Sequence, residues 1–561
     1  MKKNLIFTCA AAGVLALTGC SKKMGEFKAE NFSVNPTPLT VVGEKVPATV
    51  TANIPQKFFV KNAELTITPT LVYGDKEATS TPYVVQGEKV RGNYQVVPYE
   101  TGGTLTIPAS YTYTPDMMNS DLWLDFKVQQ GKKTYALPRV KVANGVVATS
   151  TMADAATVTP AIAPDKFQKV INEKYTADIK FLINQTNVRA SELRQQALKD
   201  LHKTVKEAQT DDKKQVEGIN ISSYASPEGG VKLNTRIASG REDNTKKYLN
   251  SQLKKNGIKE TGDLTADFTA QDWDGFQKLV SESNIQDKDL ILSVLSMYKD
   301  PETREREIRN LSSVFDQLAK EVLPQLRYSR LTASINTIGK TEEEMKAAYE
   351  SDPSSLTAEE LLYYANTLKS NADRQAAYKK CAELYPNDYR AYNNLGLTEY
   401  EAKNYSAAKD DFAKALQLNP QSSEAKMNLG LCSLLDGNYA DANQKLGSAA
   451  GVKELGDALG VYYLKTGDYN AAVRAFGDSK TNNAALAQIL TKDYSSASST
   501  LASVANPDAT TYYLMAVLGA RTNNEQMTLS NLKQAVHLDS SLAAKAAKDL
   551  EFAKYNLSGI N

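Results

Sequence analysis

The spacing of hydrophobic and polar residues changes along the chain and separates several domains. Between residues 27 and 147, stretches such as residues 46–54 alternate apolar and polar positions or are rich in β-branched residues, with Gly and Pro between them. Alternation with a period of two predicts strands that bury one face. Residues 123–128 and 134–142 flank Gly131 and predict a hairpin. Six or seven strands in this stretch predict a small antiparallel β-sandwich.

A short segment, residues 148–165, has neither periodicity. It is rich in Ala and Thr, low in charge, and contains Pro160 and Pro164. Such a composition favours an extended connection over a packed element. We therefore predict a linker here.

From residue 166 to residue 340 the spacing alternates between strand-like and helix-like. Residues 178–184 and 218–224 are strand candidates, and helical spacing follows each of them, over residues 191–208 and 232–253. Alternating strands and helices predict an α/β domain.

The second half of this α/β domain carries an insertion. Amphipathic stretches fill residues of about 255–326, so we predict a helical insert there, followed by a closing strand over residues 327–335. Arg327 and Arg330 in that strand are interpreted as surface charges. Residues 341–354 are predicted to be a second linker.

The remainder, residues 355–561, repeats itself at a fixed interval. Gly396 and Gly430 are 34 apart, as are Pro386 and Pro420. This self-similarity resembles that of tetratricopeptide (TPR) repeats, which implies an all-α solenoid of five or six helix pairs. A capping helix is expected near residues 541–554.

The resemblance to TPR repeats also implies a binding surface, the concave face lined by the first helix of each repeat. A carboxylate clamp would need lysine and asparagine at the positions of Asn393 and Leu397, so this face is not one. Its apolar lining suits a helix or an extended segment of a protein partner; the alternative is that a neighbouring domain of the chain covers it. The residues expected on this face are Asn393, Leu397, Tyr400, Met427, Leu431, Leu434, Val461, Leu464 and Tyr513.

The N-terminus indicates export and lipidation. Lys2 and Lys3 precede an apolar run, residues 5–17, that is too short to span a bilayer. The run ends in Leu-Thr-Gly-Cys, which resembles the bacterial lipobox, so we predict a signal peptide over residues 1–19 and a lipidated Cys20 on a tether over residues 20–26. The alternative is an ordinary secretion signal in which Cys20 is incidental. A lipid-anchored protein of the outer membrane is the expected product.

The strand, turn and helix of residues 221–249 resemble the central motif of OmpA-like domains, in the variant found in Bacteroidetes. In that family, an aspartate and an arginine bind the diaminopimelate of peptidoglycan. The resemblance assigns the arginine to Arg241 and an intervening asparagine to Asn234, but the aspartate position holds Ser226. Glu228 is the nearest carboxylate that could replace it, so peptidoglycan binding is a hypothesis with an open alternative in which these residues serve only structure.

The sequence after Cys20 and the overall composition narrow the function further. No acidic run follows Cys20, which by resemblance to Bacteroidetes lipoproteins favours a periplasm-facing position. Lys+Arg is 66 and Asp+Glu is 65, which argues against nucleic-acid binding by net charge. With only two histidines, we expect no catalytic triad, no metal site and no cofactor. Cys381 and Cys432 are expected to pack in the core.

Together these patterns predict a multidomain chain: an N-terminal antiparallel β-sandwich, a central α/β OmpA-like domain with a helical insert, and a C-terminal all-α TPR solenoid. The predicted function is a non-enzymatic outer-membrane lipoprotein scaffold that contacts peptidoglycan or a wall-associated protein and binds protein partners through its repeats. An alternative is an accessory subunit of a surface export or adhesion complex without wall binding. A third hypothesis, a hydrolase, lacks a histidine or clustered carboxylates beside a nucleophile to support it.

Overall fold

The structure, a computed structural model, describes residues 23–285 and 287–560. The predicted signal peptide, residues 1–19, and Cys20 lie outside the described residues. Contacts between residues divide the chain into two compact units. The first contains the chain up to Pro164 together with the chain from Leu368 onward, and the second contains Asp165–Thr367. The first unit is therefore built from two separate stretches of sequence.

The N-terminal stretch of the first unit is β-rich, as its alternating pattern predicts. Strands β1, β2 and β7 form one sheet in the order β1-β2-β7, and the other six form a second sheet in which β6-β5-β3-β8-β9 are neighbours and β4 pairs with β3. The two sheets contribute to one buried hydrophobic cluster. All pairs are antiparallel except β5 with β6. The strands β1 to β9 are Phe32–Asn35, Lys45–Ile54, Ala63–Tyr73, Lys76–Thr79, Tyr83–Gly87, Gln95–Val97, Gly103–Thr112, Ser120–Gln130 and Lys133–Gly145.

The hairpin predicted around Gly131 is present. Strands β8 and β9 pair antiparallel on either side of this turn. Gly131 has a φ of 58°, a left-handed conformation that glycine adopts without a Cβ clash. The prediction was correct because the turn glycine and the flanking alternation are both local signals.

The second unit is an α/β unit around a four-stranded sheet in the order β10-β13-β11-β12. Strands β11 and β12 are parallel and the other neighbours are antiparallel. The strands β10 to β13 are Val170–Lys180, Lys214–Tyr224, Asp263–Thr269 and Tyr328–Ile338. The helices α1 to α8 are Gln196–Ala208, Val231–Lys255, Trp273–Glu282, Lys288–Met297, Pro301–Asn310, Ser312–Glu321, Glu342–Ser351 and Ala358–Thr367.

Two sequence predictions in this unit need correction. The insert predicted as helical over residues 255–326 begins with β12, an edge strand whose side chains are all partly or fully exposed. Such a strand lacks a run of buried apolar residues and is hard to recognise from sequence. The linker predicted over residues 341–354 is mostly α7, which begins with a capping box between Thr341 and Glu344 and buries Met345.

The C-terminal stretch of the first unit is an all-helical array, in agreement with the repeat period of the sequence. Helix α9 is followed by five pairs of packed helices, α10/α11 through α18/α19, and then by the short helix α20. The predicted first copy, residues 355–388, is divided between the units, because α8 lies in the second unit and α9 in the first. The helices α9 to α20 are Asn371–Leu384, Tyr389–Glu401, Tyr405–Leu418, Ser423–Leu435, Tyr439–Gly447, Leu455–Thr466, Tyr469–Phe476, Asn482–Leu490, Tyr494–Ala502, Ala509–Arg521, Glu525–Leu538 and Leu542–Ala546.

The end of the chain is less helical than the predicted cap over residues 541–554. Helix α20 is only five residues long, and a 3-10 turn, Leu550–Phe552, follows it. Phe552 is buried and packs edge-on against Tyr513 of α18, with ring centroids 5.5 Å apart. Within residues 23–285 and 287–560, no helix is both long and apolar enough to cross a bilayer.

Candidate functional site

The nine residues expected on the concave face of the repeats are all buried. Residues 149–164, which we call the strap and which fall within the segment predicted to be a linker, lie against this face. Ala153, Ala155, Val158 and Ala161 of the strap belong to the same hydrophobic cluster as the repeat helices. The prediction of a linker is therefore wrong for these residues, and the face is covered in part by this segment and not by a neighbouring domain, as the alternative had it. The nine buried residues are Asn393, Leu397, Tyr400, Met427, Leu431, Leu434, Val461, Leu464 and Tyr513.

Asparagine side chains hold the main chain of the strap. The Asn428 amide accepts a hydrogen bond from Ala161 N (2.7 Å) and donates one to Ala161 O (2.8 Å). Asn394, at the same position of the preceding repeat, accepts from Ala163 N (2.8 Å) and donates to Ala163 O (2.9 Å). A primary amide carries a donor and an acceptor side by side, so it can satisfy both main-chain groups of one residue. Successive repeats thus bind alternate residues of an extended peptide.

Further polar side chains extend this arrangement along the strap. Asn393 donates to Ala161 O at 2.9 Å and accepts from the Asn428 amide at 3.0 Å. Asn483 accepts from Asp154 N (3.0 Å) and donates to Asp154 O (2.9 Å). The Tyr400 hydroxyl donates to Ala155 O at 2.8 Å, and burial raises the pKa of Tyr400, so this phenol stays a donor. Most of these bonds go to the main chain of the strap; Asn483 also donates to the Thr157 hydroxyl at 3.0 Å.

The strap side chains that face the helices are small. Ala153, Ala155, Ala161 and Ala163 are at most 3% exposed, whereas Ile162 between the last two is 40% exposed. Methyl groups fit against the apolar helices while the main chain stays within reach of the asparagines. The small residues that made this segment resemble a linker are the residues that allow its main chain to lie so close to the helices.

The first residues of the strap also contact the β-rich stretch and the end of the chain. Ser150 Oγ donates to Val41 O at 2.9 Å, and Thr149 Oγ1 donates to Glu551 at 2.5 Å. Glu551 in turn pairs with Arg521 of α18 at 2.5 Å. The strap therefore joins both stretches of the first unit.

Sequence analysis found only part of this site. It placed Asn393 on the concave face but missed Asn394, Asn428 and Asn483. The recurrence of Asn394 as Asn428 in the next repeat was the available signal, because an asparagine that repeats in register on a concave face is more than an ordinary surface residue. The strap itself could not be paired with the repeats from sequence, since 231 residues separate Ala163 from Asn394.

The residues predicted to bind peptidoglycan lie together in the α/β unit, in the turn after β11 and on α2. Ser226 Oγ donates to Glu228 Oε1 at 2.9 Å. Glu228 is bound by the guanidinium of Arg327, with Nε to Oε1 at 3.0 Å and Nη2 to Oε2 at 2.8 Å. Arg327, expected at the surface, is in fact 9% exposed and neutralises Glu228, the carboxylate expected to replace the missing aspartate. Arg330 is the exposed partner of Asp178.

Arg241 is buried below this turn and is 1% exposed. Its guanidinium donates to three main-chain carbonyls, those of Tyr224 (2.7 Å), Gln185 (3.0 Å) and Leu182 (3.2 Å). Burial and the nearby charge of Arg327 lower the pKa of Arg241 to about 10. The arrangement secures the turn and the loop after β10 from within.

Asn234 completes the same turn. Its amide donates to Ser226 O at 3.0 Å and to Gly229 O at 2.7 Å. The predicted set of Ser226, Glu228, Asn234 and Arg241 is therefore brought together, with its polar groups directed to partners in the protein.

Redox and metal chemistry find little support in the part of the chain that the structure describes. Cys381 and Cys432 are buried, and neither is part of a disulfide bond. Burial raises the pKa of Cys432 to about 12, so its thiol stays protonated and unreactive. Among the described residues, no group of three or more His, Cys, Asp or Glu side chains could hold a metal ion.

Comparison with known proteins supports the repeat assignment. A family model for the tetratricopeptide repeat matches residues 389–422, which comprise α10 and α11. Residues 389–422 are thus a TPR repeat, and the helix pairs around them form a TPR-like array that suggests protein–protein interaction. A search of curated proteins gave no match.

Several solved structures resemble part of the chain at low sequence identity. The APC/C hetero-tetramer Cut9-Hcn1 is 16% identical with a TM-score of 0.31; the similarity covers 35% of this chain and 42% of that one, so the chain spans about two fifths of its length. A tetratricopeptide repeat protein from Parabacteroides merdae is 17% identical, with a TM-score of 0.30 and coverage of 38% and 91%. YrrB, a TPR protein with an unusual peptide-binding site, is 23% identical, with a TM-score of 0.21 and coverage of 37% and 100%.

Proposed function

We propose that this protein is a non-enzymatic scaffold, anchored by lipid to the outer membrane, whose repeats bind a protein partner. One observation carries the proposal: the asparagines of the repeats hold an extended polypeptide by its main chain, as seen for Asn394 and Asn428. A surface that binds one peptide in this way has the chemistry to bind a segment of another protein.

The anchor is the second part of the proposal and rests on Cys20 in its Leu-Thr-Gly-Cys context. A diacylglyceryl group and a further acyl chain on this residue would fix the protein in the outer membrane, where it would face the periplasm. The described residues contain no helix that could serve as an alternative anchor.

Labelling and crosslinking of whole envelopes test both parts together. We expect the native chain to incorporate an alkyne analogue of palmitate and to sediment with membranes, and Cys20→Ser to do neither, since the acceptor sulfur is gone. With a lysine-reactive crosslinker, peptides from residues 368–560 of the native chain should be joined to the same envelope protein in independent replicates. Crosslinked proteins that change from replicate to replicate would contradict a dedicated scaffold, and a labelled Cys20→Ser chain would contradict the anchor. Degradation of the chain by protease added to intact cells would contradict the periplasmic position.

For the α/β unit, we propose contact with a wall-associated protein in preference to peptidoglycan itself. The resemblance to OmpA-like domains supports a role at the wall, but the family's ligand needs a free carboxylate for its ammonium. Glu228 is held by both nitrogens of the Arg327 fork and by Ser226, and replacing that pair by a ligand would leave Arg327 buried without its partner. This geometry favours contact with a wall-associated protein over direct binding of peptidoglycan.

Co-sedimentation with purified diaminopimelate-type sacculi separates the two hypotheses. We expect the mature full-length chain, in mild detergent, to remain in the supernatant, because Glu228 is already neutralised. An established peptidoglycan-binding OmpA-like domain serves as the positive control. If the native chain pellets and Ser226→Val, which removes the hydroxyl near Glu228 and Arg327, weakens pelleting, direct wall binding replaces our proposal.

A further inference from the structure

The strap occupies the groove of the repeats with features of a ligand as well as of a core element. The side chains of its inward residues are buried, whereas Asp154, Thr159, Ile162 and Pro164 are exposed. Outside two short 3-10 turns, the strap forms no regular secondary structure, and none of its residues belongs to a β-strand. From Thr159 to Pro164 the strap therefore has one buried and one exposed side, as a bound peptide has.

The groove is not completely filled beside the strap. A cleft of about 150 Å³ that is partly open to solvent lies along its N-terminal half, lined among others by Met152, Thr157, Asn483 and Tyr513. The groove thus has room beside the strap for the side chains of another peptide.

We propose that the strap is a resident ligand that a segment of a partner protein replaces in the same groove. The replacing segment is extended and carries no charged residue at its inward positions, with small residues such as Ala at alternate positions, and it is bound by the same asparagines, Asn394, Asn428 and Asn483. This inference rests on the proposed function, in which the repeats bind a protein, and adds the ligand class and the regulation. In the free protein the strap blocks the groove, so that only a partner able to displace the strap binds there.

The chemistry of the groove determines the ligand class. Neutral amides supply the polar contacts seen at Asn394 and Asn428, so a charged side chain directed inward would be buried without a counter-charge. Ala161 and Ala163 are at most 1% exposed, which leaves no room for larger groups without displacement of the helices. Because the groove binds the main chain and accepts only small inward residues, it selects peptides by their composition more than by their exact sequence.

Covalent connection gives the strap its advantage over a partner. A segment already attached to the protein binds at an effective concentration in the millimolar range. A free peptide displaces it only at a higher concentration or with a higher affinity for the groove. A strap that cannot enter the groove should thus expose the site to free peptides. This consequence can be measured directly.

The experiment measures binding of a fluorescent peptide with the sequence of residues 151–164 to the full-length chain by anisotropy. In the released variant, Ala161→Glu with Ala163→Glu, carboxylates at buried positions prevent the strap from seating. The matched control, Thr159→Glu with Ile162→Glu, adds the same charge at exposed positions. We expect the released variant to bind the peptide at least tenfold more tightly than the native chain or the control. Adding Asn428→Leu to the released variant should reverse this gain, because the donor and acceptor for the peptide backbone are lost.

The possible results are distinguishable. Equal binding by native and released chains would overturn the blocking role while leaving the repeats as a peptide-binding scaffold. A folded released variant that does not bind the peptide would overturn the exchange of ligands, and the crosslinking experiment would decide the scaffold role separately.

Hydrogen exchange of the native chain provides a second measurement that needs no substitution. If the strap leaves the groove without unfolding of the repeats, its amides become exposed to solvent by this local opening. They should therefore exchange at least tenfold faster than the amides of α12, against which the strap lies. Exchange as slow as in α12 would show that the strap opens only when the repeats unfold, and would overturn the proposal even if the released variant failed to fold.

Discussion

Single residues account for the two polar networks in this protein. Asn428 and Asn394 each bond both the main-chain N–H and the C=O of one strap residue. Neither a hydroxyl nor a charged group of similar size could bond both groups in this symmetric way. In the α/β unit, Arg327 neutralises Glu228 and Arg241 binds three carbonyls. The sequence identified the residue types in both places, but only their partners decide whether they bind a ligand or the protein itself.

Asp411 on α11 provides a prediction at the residue scale. Burial, together with the charges of Glu399 and Asp410, raises the pKa of Asp411 from 3.8 to about 6. The folded chain therefore binds more protons than the unfolded chain between these values, and the free energy of unfolding falls as pH rises through this window. We expect Asp411→Asn to stabilise the repeats by about 1 kcal/mol at pH 7.5 and to have little effect at pH 4.

Chemical denaturation at the two pH values measures this effect. Asp410→Asn, which removes one of the charges that raise the pKa of Asp411, should give a smaller stabilisation with the same dependence on pH. A stabilisation by Asp411→Asn that is equally large at pH 4 would contradict the electrostatic cause.

At the scale of elements, the first three helix pairs, α10/α11 to α14/α15, are kept close by a glycine on the first helix of each pair. A Cβ added at Gly396 would lie 2.9 Å from the ring of Phe412 on the paired helix, and one at Gly430 would lie 2.7 Å from Leu446. The sequence predicted these pairs correctly, because both members of each pair recur in a fixed local register. It did not predict α7 or β12, whose apolar signals are short.

Gly460 on α14 is the most crowded of these positions. A Cβ there would approach three ring atoms of Phe476 on α15 to between 2.5 and 2.6 Å. We expect Gly460→Ala to reduce the free energy of unfolding by about 2 kcal/mol, because the ring has to move within a packed interface. Thermal unfolding followed by circular dichroism measures the loss.

The control for Gly460 is Gly447→Ala at the end of α13, where a Cβ would meet no atom within 4 Å. Alanine should leave stability unchanged or increase it by up to about 1 kcal/mol there, since it reduces the freedom of the unfolded chain. Equal effects of the two substitutions would show that helix propensity, and not crowding, controls these sites.

At the scale of the whole molecule, the chain forms two compact units with separate cores, and the first is assembled from both ends of the sequence. The strap makes this possible, because it belongs to the N-terminal stretch and is buried by the C-terminal one. The domain map predicted from the sequence assigned these stretches to different domains, separated by the α/β domain and two linkers.

Separate cores predict two calorimetric transitions that respond to different substitutions. Asn428→Ala, which leaves two main-chain groups of the strap without partners, should lower only the transition of the first unit. Arg327→Gln should lower only that of the second by several degrees, since it leaves Glu228 buried and unpaired. Arg330→Gln, which breaks an exposed pair with Asp178, is the control and should have a small effect. A common shift of both transitions by either substitution would show that the molecule unfolds as one unit.

The sequence by itself determined the properties that are local or periodic: the strands around Gly131, the helix pairs that recur at a fixed interval, and the predicted lipidation motif at Cys20. The tertiary structure decided which of these surfaces are covered. Ala161 and Asn428 are 267 residues apart, and no local rule pairs an alanine-rich segment with a row of asparagines at such a distance. The same holds for Glu228 and Arg327, which are 99 residues apart and become partners only when the sheet closes around β13. Periodicity reports what a segment can bury, whereas the choice of what it buries against depends on shape and on hydrogen bonds that form only in the folded chain.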